Sequence, residues 1–395
     1  MKSGMDKRSI AGRARRLRAS LFELLRIQGL KLDKGGLVGR RDYSKNKIRR
    51  IHSVSRAERL ESERSFVQEW FSPLSKFFAS GIEVDPAQID PVPVVVEDDQ
   101  EAAALFRLAS LWWSIPVSRG FGRRFRVLVF DRANGKLIGL LGLTDPVFNL
   151  RARDSWIGWD VRAREKRLAH VMDAYVLGAV PPYNQLLGAK LIALLATSDF
   201  IQSVFTQRYR KSRSVILGRQ FDGRLAMVTA TSALGRSSIY NRLNFDGVKV
   251  FQPVGFTEGY GHFHLANGTY EELRDYLISL GDEEVNRFRY GSGPNYRLRV
   301  VRTALERLNL PADLLRHGVC REVYVAPLAR NSAAFLRGEH SRLHRHERSL
   351  EDLVAHWRER WLLPRAARDN SFRTFSKDSW RKIAGLVKNQ SGHSR

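Results

Sequence analysis

The chain has almost no cysteine and no long apolar run. Its 395 residues include a single cysteine, Cys320, which excludes an intramolecular disulfide and a zinc site built from cysteines. No stretch approaches 18 consecutive apolar residues, so the sequence predicts no transmembrane helix. The N-terminus also lacks the apolar core of a secretory signal. These absences predict a protein of a reducing, cytoplasmic setting.

Acidic side chains are scarce relative to basic ones. The sequence has 67 lysines and arginines against 41 aspartates and glutamates, a net charge of +26. The excess is concentrated in residues 1–60, with 18 basic and 5 acidic side chains, and in residues 336–395, with 14 and 7. Such surfaces release the counterions of a polyanion, which favours DNA as the partner over a merely well-solvated basic surface. Charge does not separate DNA from RNA, and the basic segments lack the wide aromatic face of a membrane-binding helix, so no membrane partner is expected.

Composition divides the chain into four segments. Residues 1–90 form a basic region expected to be helical, where RARRLRASLFELLRIQG places Leu17, Leu21, Leu24 and Leu25 on one face. Residues 91–268 are expected to form an α/β core that starts at the proline-rich stretch IDPVPVVVEDD. Residues 269–335 are a helical extension with one strand-like run, REVYVAPL, and residues 336–395 a basic helical tail.

Within the core the predicted order is strand, helix, hairpin, strand, helix, strand, helix, strand. The hairpin is RFRVLVFD and KLIGLLGL, joined by four turn residues. SWIGWD is expected to be loop or strand edge, and HFHLA a strand. Upstream of the core, Ser55 and Glu58 fit an S-x-x-E capping box for a helix that runs to about Trp70.

One short stretch, YVLGAVPPYNQLLGAK, predicts a ligand site. A strand that meets Pro181 and Pro182 cannot continue its hydrogen-bond ladder, so it is expected to part from its neighbour. The helix that begins near Gln185 would direct its unpaired amides at the resulting gap, and Gly188 would let a ligand approach the backbone. These features are typical of a pyrophosphate site, although a plain strand–turn–helix explains the same residues.

This stretch also resembles the Q/R-x-x-G-x-G/A cofactor loop of the GNAT acyltransferase superfamily. Gln185 and Gly188 match the pattern, while Lys190 stands where a final Gly or Ala is expected. The resemblance implies a mixed sheet with two splayed central strands and acetyl-CoA, or a related acyl-CoA, as cofactor. The cofactor-binding residues that it implies are Val180, Tyr183, Gln185, Leu187, Gly188 and Ala189.

Candidate catalytic residues are Ser237, Tyr240 and His262. Y-N-R-L-N-F at 240–245 resembles the GNAT helix end Y-x-x-x-G-F, with Asn244 in place of the glycine, and implies that Tyr240 protonates a leaving thiolate. An ordinary core tyrosine is the alternative, as helix capping is for Ser237. His262 is interpreted as a general base or DNA contact, and a metal shared with His264 stays open.

Arginines beside the Gly120–Phe121–Gly122 loop and beside Ser237 are further candidate nucleic-acid contacts. Arg119, Arg123 and Arg124 flank Gly120–Phe121–Gly122, a loop that could hold a phosphate, and Arg236 lies near Ser237. The expected nucleic-acid contacts are Arg15, Arg16, Arg40, Arg41, Lys45, Arg119, Arg123, Arg124 and Arg236. A magnesium-dependent nuclease is a further alternative, because aspartates recur at 131, 145, 154 and 160, but their spacing matches no nuclease pattern.

A longer resemblance covers about residues 20–335. WSIPVSRGFGRRFRVLVFD, PPYNQLLGAKLIALL, TSALGRSSIYNRL, VGFTEGYGHFHL and LLRHGVCREVYVAPLA are similar to the DruA family of the Druantia anti-phage system. The resemblance implies a bacterial, cytoplasmic protein of phage defence that works with other proteins of the system, such as a helicase. The sequence therefore predicts a DNA-acting defence protein with an α/β, GNAT-like core, either a transferase or a non-catalytic DNA-binding module.

Overall fold

A computed structural model describes residues 7–33, 36–38, 43–117, 120–213, 218, 220–266, 269–282, 285 and 296–383. The helices are α1 (Lys7–Ile27), α2 (Lys45–Ile51), α3 (Ser53–Ser62), α4 (Arg64–Leu74), α5 (Gln100–Ser110), α6 (Arg151–Ile157), α7 (Val161–Arg167), α8 (Gly188–Leu195), α9 (Asp199–Tyr209), α10 (Ser238–Asn241), α11 (Phe263–Ala266), α12 (Tyr270–Ser279), α13 (Tyr296–Arg307), α14 (Ser332–Arg337), α15 (Leu350–Trp357), α16 (Leu363–Arg368) and α17 (Lys377–Ile383). The strands are β1 (Lys31–Asp33), β2 (Gly36–Val38), β3 (Pro91–Val96), β4 (Arg124–Asp131), β5 (Lys136–Thr144), β6 (Val171–Ala179), β7 (Met227–Thr231), β8 (Asn244–Phe245), β9 (Val248–Lys249), β10 (Gln252–Phe256) and β11 (Glu322–Pro327).

The centre of the fold is a seven-stranded mixed sheet. Its strand order is β10-β11-β7-β6-β5-β4-β3. Neighbouring strands are antiparallel except β6 and β7, which are parallel and are connected through α8 and α9. The predicted α/β class and the predicted hairpin of β4 and β5 are confirmed. The strand predicted before Pro181 is β6, and the strand predicted after the next helix is β7.

The parallel pair separates after four residues. β6 pairs with β7 only from Val171 to Ala174, opposite Met227 to Ala230. β6 then continues to Ala179 while paired with β5 alone. The strands therefore diverge well before the two prolines, and this divergence creates the space in which the candidate site lies.

Both faces of the sheet are covered by helices. On one face α8, α9 and the C-terminal helix α15 bury a core that includes Met172, Leu191 and Trp357. On the other face α4, α5 and α17 pack against Leu128 and Val176. The sheet is therefore the central layer between two layers of helices.

The N-terminal helix shares a core with the extension that follows the sheet. Leu17, Leu21 and Leu25 are buried against α12 and α13, and the Arg18 side chain donates a hydrogen bond of 2.7 Å to the Leu308 carbonyl. Leu24 is also buried, so the predicted apolar face of α1 is confirmed. The predicted N-terminal region, residues 1–90, thus packs in part against the predicted extension, residues 269–335.

Several predicted elements differ from the structure. β3 includes Pro91 and Pro93, and both prolines are tolerated because β3 is an edge strand. SWIGWD lies in and after helix α6, HFHLA contains helix α11 instead of a strand, and Ser55 lies inside α3, so it is not a capping residue. β11, from the segment assigned to the extension, is inserted between β7 and β10.

None of the described helices alone is long and apolar enough to cross a membrane. α8 and α9 together reach the required length and composition, with a bend of 48° between them.

Candidate functional site

A cleft of about 680 Å³ opens where β6 and β7 diverge. One wall is the end of β6, and the opposite wall is formed by the start of α8 and by α10. Residues from α2, α3 and the segment after α5 complete the cleft. The lining side chains and backbone belong to Arg49, Arg56, Trp112, Trp113, Ser114, Leu177, Gly178, Ala179, Asn184, Leu187, Ala189, Lys190, Ser238 and Ile239.

The charges that line the cleft are all positive. Arg49, Arg56 and Lys190 line it, and among the residues that the structure describes no aspartate or glutamate does. Within the described residues no carboxylate lies within ion-pair distance of any of these three side chains. Cations without acidic partners leave a positive potential in a concave site, which attracts anions. The cleft is therefore suited to a phosphate-bearing ligand.

Lys190 has the most unusual environment of the three cations. It is only 7% exposed, and its Nζ lies 3.4 Å from the Ser238 carbonyl and 3.2 Å from that of Ile239. Nζ also lies 4.9 Å from the centre of the Trp361 ring. Burial, with a smaller effect of the nearby Arg242 guanidinium, lowers the pKa of Lys190 to about 8. In the sequence Lys190 stands out only as a departure from the GNAT pattern, which does not predict its place in the cleft.

Only some of the predicted cofactor-binding residues reach the cleft. Leu187 and Ala189 line it. Val180 is buried in the core and its amide donates to the Ile138 carbonyl. Tyr183 is buried as well, and its hydroxyl donates to Asp131 at 2.9 Å. Val180 and Tyr183 therefore hold the turn against the β4–β5 hairpin rather than facing a ligand.

The backbone of the turn does not form the amide-lined pocket that the motif predicted. The Gly188 amide donates to the Tyr183 carbonyl, and the Lys190 amide to the Leu187 carbonyl. A Cβ on Gly188 would lie 2.8 Å from the Tyr183 carbonyl oxygen. Glycine is required here because the turn packs tightly on itself, which corrects the expectation that Gly188 admits a ligand.

The C-terminal helices cover the same turn. The Trp357 indole donates to the Leu187 carbonyl, and the Arg365 guanidinium donates to the Gln185 carbonyl, both at 3.1 Å. The Gln185 side chain accepts a hydrogen bond from Ser371. Gln185 is thus engaged by the C-terminal segment, and an anion entering the cleft would meet side chains of Arg49, Arg56 and Lys190 before it met this backbone.

The three predicted catalytic residues lie in different surroundings. Ser237 caps α10, since its Oγ accepts from the Ile239 amide, which is the alternative role that the sequence allowed. Tyr240 is 7% exposed, with its ring 4.8 Å from those of Phe251 and Tyr324, and burial raises its pKa. It does not line the cleft, whereas its neighbours in α10 do.

His262 lines a different cavity, of about 660 Å³, on the other side of β6 and β7. Asp173 also lines this cavity, and the Thr229 hydroxyl donates to its carboxylate at 2.6 Å. Burial raises the pKa of Asp173 and lowers that of His262. The other titratable residues that line this cavity are Arg151, Arg153, Glu258, His317 and Arg321.

His264 is not positioned to share a metal with His262. It lies in α11 rather than on a strand, is fully buried, and its Nε2 is 2.7 Å from the Leu314 carbonyl oxygen. Among the described residues no three His, Cys, Asp or Glu side chains are arranged to hold a metal ion.

The predicted nucleic-acid contacts are mostly exposed. Arg15, Arg16, Lys45, Arg124 and Arg236 are exposed on the surface, while Arg40, Arg41 and Arg119 lie outside the described residues.

Arg123 is the exception. Its guanidinium lies 2.7 Å from the Asp145 carboxylate, donates to the Ala169 carbonyl and stacks 4.2 Å from the centre of the Phe221 ring. With its side chain only 12% exposed, Arg123 holds the loop in place and is not free to contact a polyanion.

This chain matches one family model and one curated protein. The model of the family described as Druantia protein DruA matches residues 42–338. The Druantia protein DruA of Escherichia coli (strain UMEA 4076-1) is 42% identical over 362 residues, which cover 91% of this chain and 90% of that protein. No solved structure matches. The extent of both matches establishes that the chain belongs to the DruA family.

Proposed function

We propose that this protein acts on nucleic acid in bacterial anti-phage defence, and that its cleft binds an acyl-CoA-type ligand. Membership of the DruA family supports the defence role, and implies other proteins of a defence system as partners. The charge of +26 and the exposed arginines of α1 support nucleic acid as the substrate class. The cleft supports the ligand because the charged side chains that line it are all cations.

The GNAT comparison rests on the arrangement of the sheet. A mixed sheet with two splayed central strands is what the resemblance of the 185–190 stretch implies. The divergence of β6 and β7 after Ala174, with α8 starting beside the gap, supports the comparison at this level.

The observation that carries the ligand proposal is the set of three cations, without any acid, around the gap. Arg49, Arg56 and Lys190 would hold the phosphates, and Trp112 and Trp113 offer flat apolar surface to an adenine or a pantetheine arm. Because the Gly188 and Lys190 amides are already bonded within the turn, side chains rather than these amides would bind the phosphates. When bound, the cofactor supplies an activated acyl group for transfer to an amine.

The ligand proposal is tested by isothermal titration of acetyl-CoA and free coenzyme A. Wild-type protein is expected to bind both, and Lys190→Met or Arg56→Met to weaken binding by about 10-fold or more, as expected for a charge-assisted contact of roughly 1.5–3 kcal/mol. Lys249→Met, which removes an exposed lysine of β9, is the matched control. Binding should also weaken above about pH 8 in the wild type, where Lys190 loses its charge, but not in Lys190→Arg. No heat of binding, or equal binding by all variants, contradicts the proposal.

Transfer itself has a separate readout. DNA incubated with the protein and acetyl-CoA is digested to nucleosides and analysed by mass spectrometry for an acyl adduct. An unchanged nucleoside profile, with cofactor binding intact, would leave ligand binding in place and reject transfer to DNA.

The position of Tyr240 favours a second candidate, a DNA-binding module without transferase activity. A tyrosine packed between two aromatic rings, with a raised pKa, is a poor proton donor to a thiolate. The two candidates differ for Tyr240→Phe. If phage protection and DNA binding survive the substitution while no adduct forms even in the wild type, the binding module is the better description.

A further inference from the structure

A hollow that was not described above lies beside the cleft. It has a volume of about 780 Å³ and is lined by residues of α3, α4, α5, the start of β4 and β6. Arg59, Arg107, Arg124 and Arg126 line it. None of these except Arg124 was expected to contact nucleic acid.

The hollow and the cleft are joined by a narrow depression. The depression shares Arg59, Ser110 and Val117 with the hollow, and it shares Arg56 and Trp113 with the cleft. The three together form one groove along α3, here called the α3 groove, which ends at Lys190.

Arginines dominate the charge of the α3 groove. Its acidic lining residues are Glu63 and Glu69. Glu63 is buried and is bound by both Arg59, at 3.0 Å, and Arg107, at 2.5 Å. Among the described residues no carboxylate lies within 4.0 Å of the Arg56 or Arg126 guanidinium. These two arginines are thus placed to bind phosphates of a ligand.

Aromatic rings are interleaved with these arginines. Phe66 and Trp70 follow each other along α4 with ring centres 6.4 Å apart, and both are half-buried. Arg107 stacks 4.0 Å from the centre of the Phe66 ring. Tyr175, at the point where β6 leaves β7, and Trp113 are also half-buried and line the groove further along. A basic groove with successive aromatic platforms is the arrangement that binds single strands, because bases stack on the rings while phosphates meet the cations.

We infer that the α3 groove binds single-stranded DNA and directs one end of the strand towards the cleft at Lys190. This inference rests on the proposed action on nucleic acid and specifies its form. A duplex keeps its base faces stacked inside, so it cannot use the aromatic rings without being opened. The concave path between α4, α5 and β4 therefore favours a strand whose bases are already exposed.

The test is fluorescence anisotropy with a labelled 20-nucleotide DNA, the same sequence as duplex, and the same sequence as RNA. Trp70→Ala is expected to weaken single-strand binding roughly 5- to 140-fold, the effect of losing one stacked base. Trp70→Phe should restore most of the affinity, which separates stacking from a loss of folding. Arg56→Ala combined with Arg126→Ala should lower the slope of log K against log salt by about 1.4, or about 0.7 for each lost phosphate contact. Arg64→Ala, which removes an exposed α4 arginine outside the groove, is the matched control.

The outcomes separate this inference from the proposed function. Equal affinity for duplex and single strand, with Trp70→Ala and the double arginine variant unchanged, overturns the groove inference while nucleic-acid binding stands. Failure of the wild type to bind any of the three probes overturns both. Equal effects of all variants on DNA and RNA single strands keep the groove and remove the preference for DNA.

Discussion

Replacing the buried lysine of the cleft should make the protein more stable and change how its stability depends on pH. Lys190 keeps an ammonium group in a site that is 7% exposed, and its pKa falls from 10.5 to about 8. A pKa that is lower in the folded than in the unfolded state means that the unfolded chain binds more protons between those two values. The free energy of unfolding therefore rises with pH through that window.

The size of the effect follows from the pKa change. Each pKa unit corresponds to 1.36 kcal/mol, so a charged Lys190 costs about 3 kcal/mol of stability at pH 7. Raising the pH to 9.5 should recover about 2 kcal/mol of this, because the window from pH 8 to 9.5 is then crossed. In Lys190→Met that increment is absent. The variant should also be more stable at pH 7, by less than the full cost, since the Ser238 and Ile239 carbonyls lose a donor.

The assay is urea unfolding of wild type, Lys190→Met and the exposed-lysine control Lys249→Met at pH 7 and pH 9.5. Comparing each variant with the wild type at the same pH removes the contribution of all other titrating groups. The reasoning is refuted if Lys190→Met and the wild type change equally between the two pH values, or if Lys249→Met reproduces the effect.

Three further substitutions probe the supports of the cleft. Gly188→Ala should destabilise the protein by about 1–3 kcal/mol in urea unfolding, because its Cβ would lie 2.8 Å from the Tyr183 carbonyl oxygen; unchanged stability would mean that the turn relaxes freely. Tyr183→Phe should cost about 1–2 kcal/mol in the same assay by removing the donor to the buried Asp131, and a cost near zero would show that the hydroxyl is not needed. Gly81→Ala should loosen the C-terminal segment, since its Cβ would lie 2.0 Å from the Phe372 carbonyl oxygen; limited proteolysis should then cut within residues 371–383 faster than in the wild type, and equal rates would contradict this.

Local patterns predicted most of the central sheet. The apolar alternation and turn residues of the hairpin identified β4 and β5, and the run before Pro181 identified β6. The apolar stripe of α1 and the capping serine of α10 were also readable, because both depend on residues within one or two turns of each other. These features are set by neighbours along the chain, so a single sequence contains them.

The errors have a local and a distant origin. SWIGWD has an aromatic composition typical of a strand, yet its first three residues lie in α6, where the Asp154 carboxylate accepts from the Leu150 amide and Arg153 donates to the Val147 and Phe148 carbonyls. These contacts join residues within six positions of each other, so this error came from weighing composition above local hydrogen bonding. The position of β11 between β7 and β10 depends on a pairing across more than 60 residues, which no periodicity reveals.

A cleft lies beside the predicted site, and the turn that borders it has hydrogen bonds that the motif did not predict. The break in the sheet was read from two prolines, and a cleft does lie beside it. What the pattern could not disclose is that the Gly188 and Lys190 amides are bonded within the turn, and that the turn is covered by helices more than 160 residues later in the sequence.

Lys190, which departs from the GNAT pattern, is related both to the cleft beside the break and to the bonded amides of the turn. A glycine or alanine at position 190 suits a loop whose backbone binds phosphate directly, but here the Gly188 and Lys190 amides are already bonded. Lys190 reaches from α8 across to α10, so it places a cation in the gap and links the two elements that border it. A phosphate in the gap would compete with the Ser238 and Ile239 carbonyls for Nζ and would restore the charge that burial disfavours. The bonded Gly188 and Lys190 amides and the buried Lys190 side chain are therefore parts of one arrangement, and the proposed anion would offset the cost of burying the Lys190 charge.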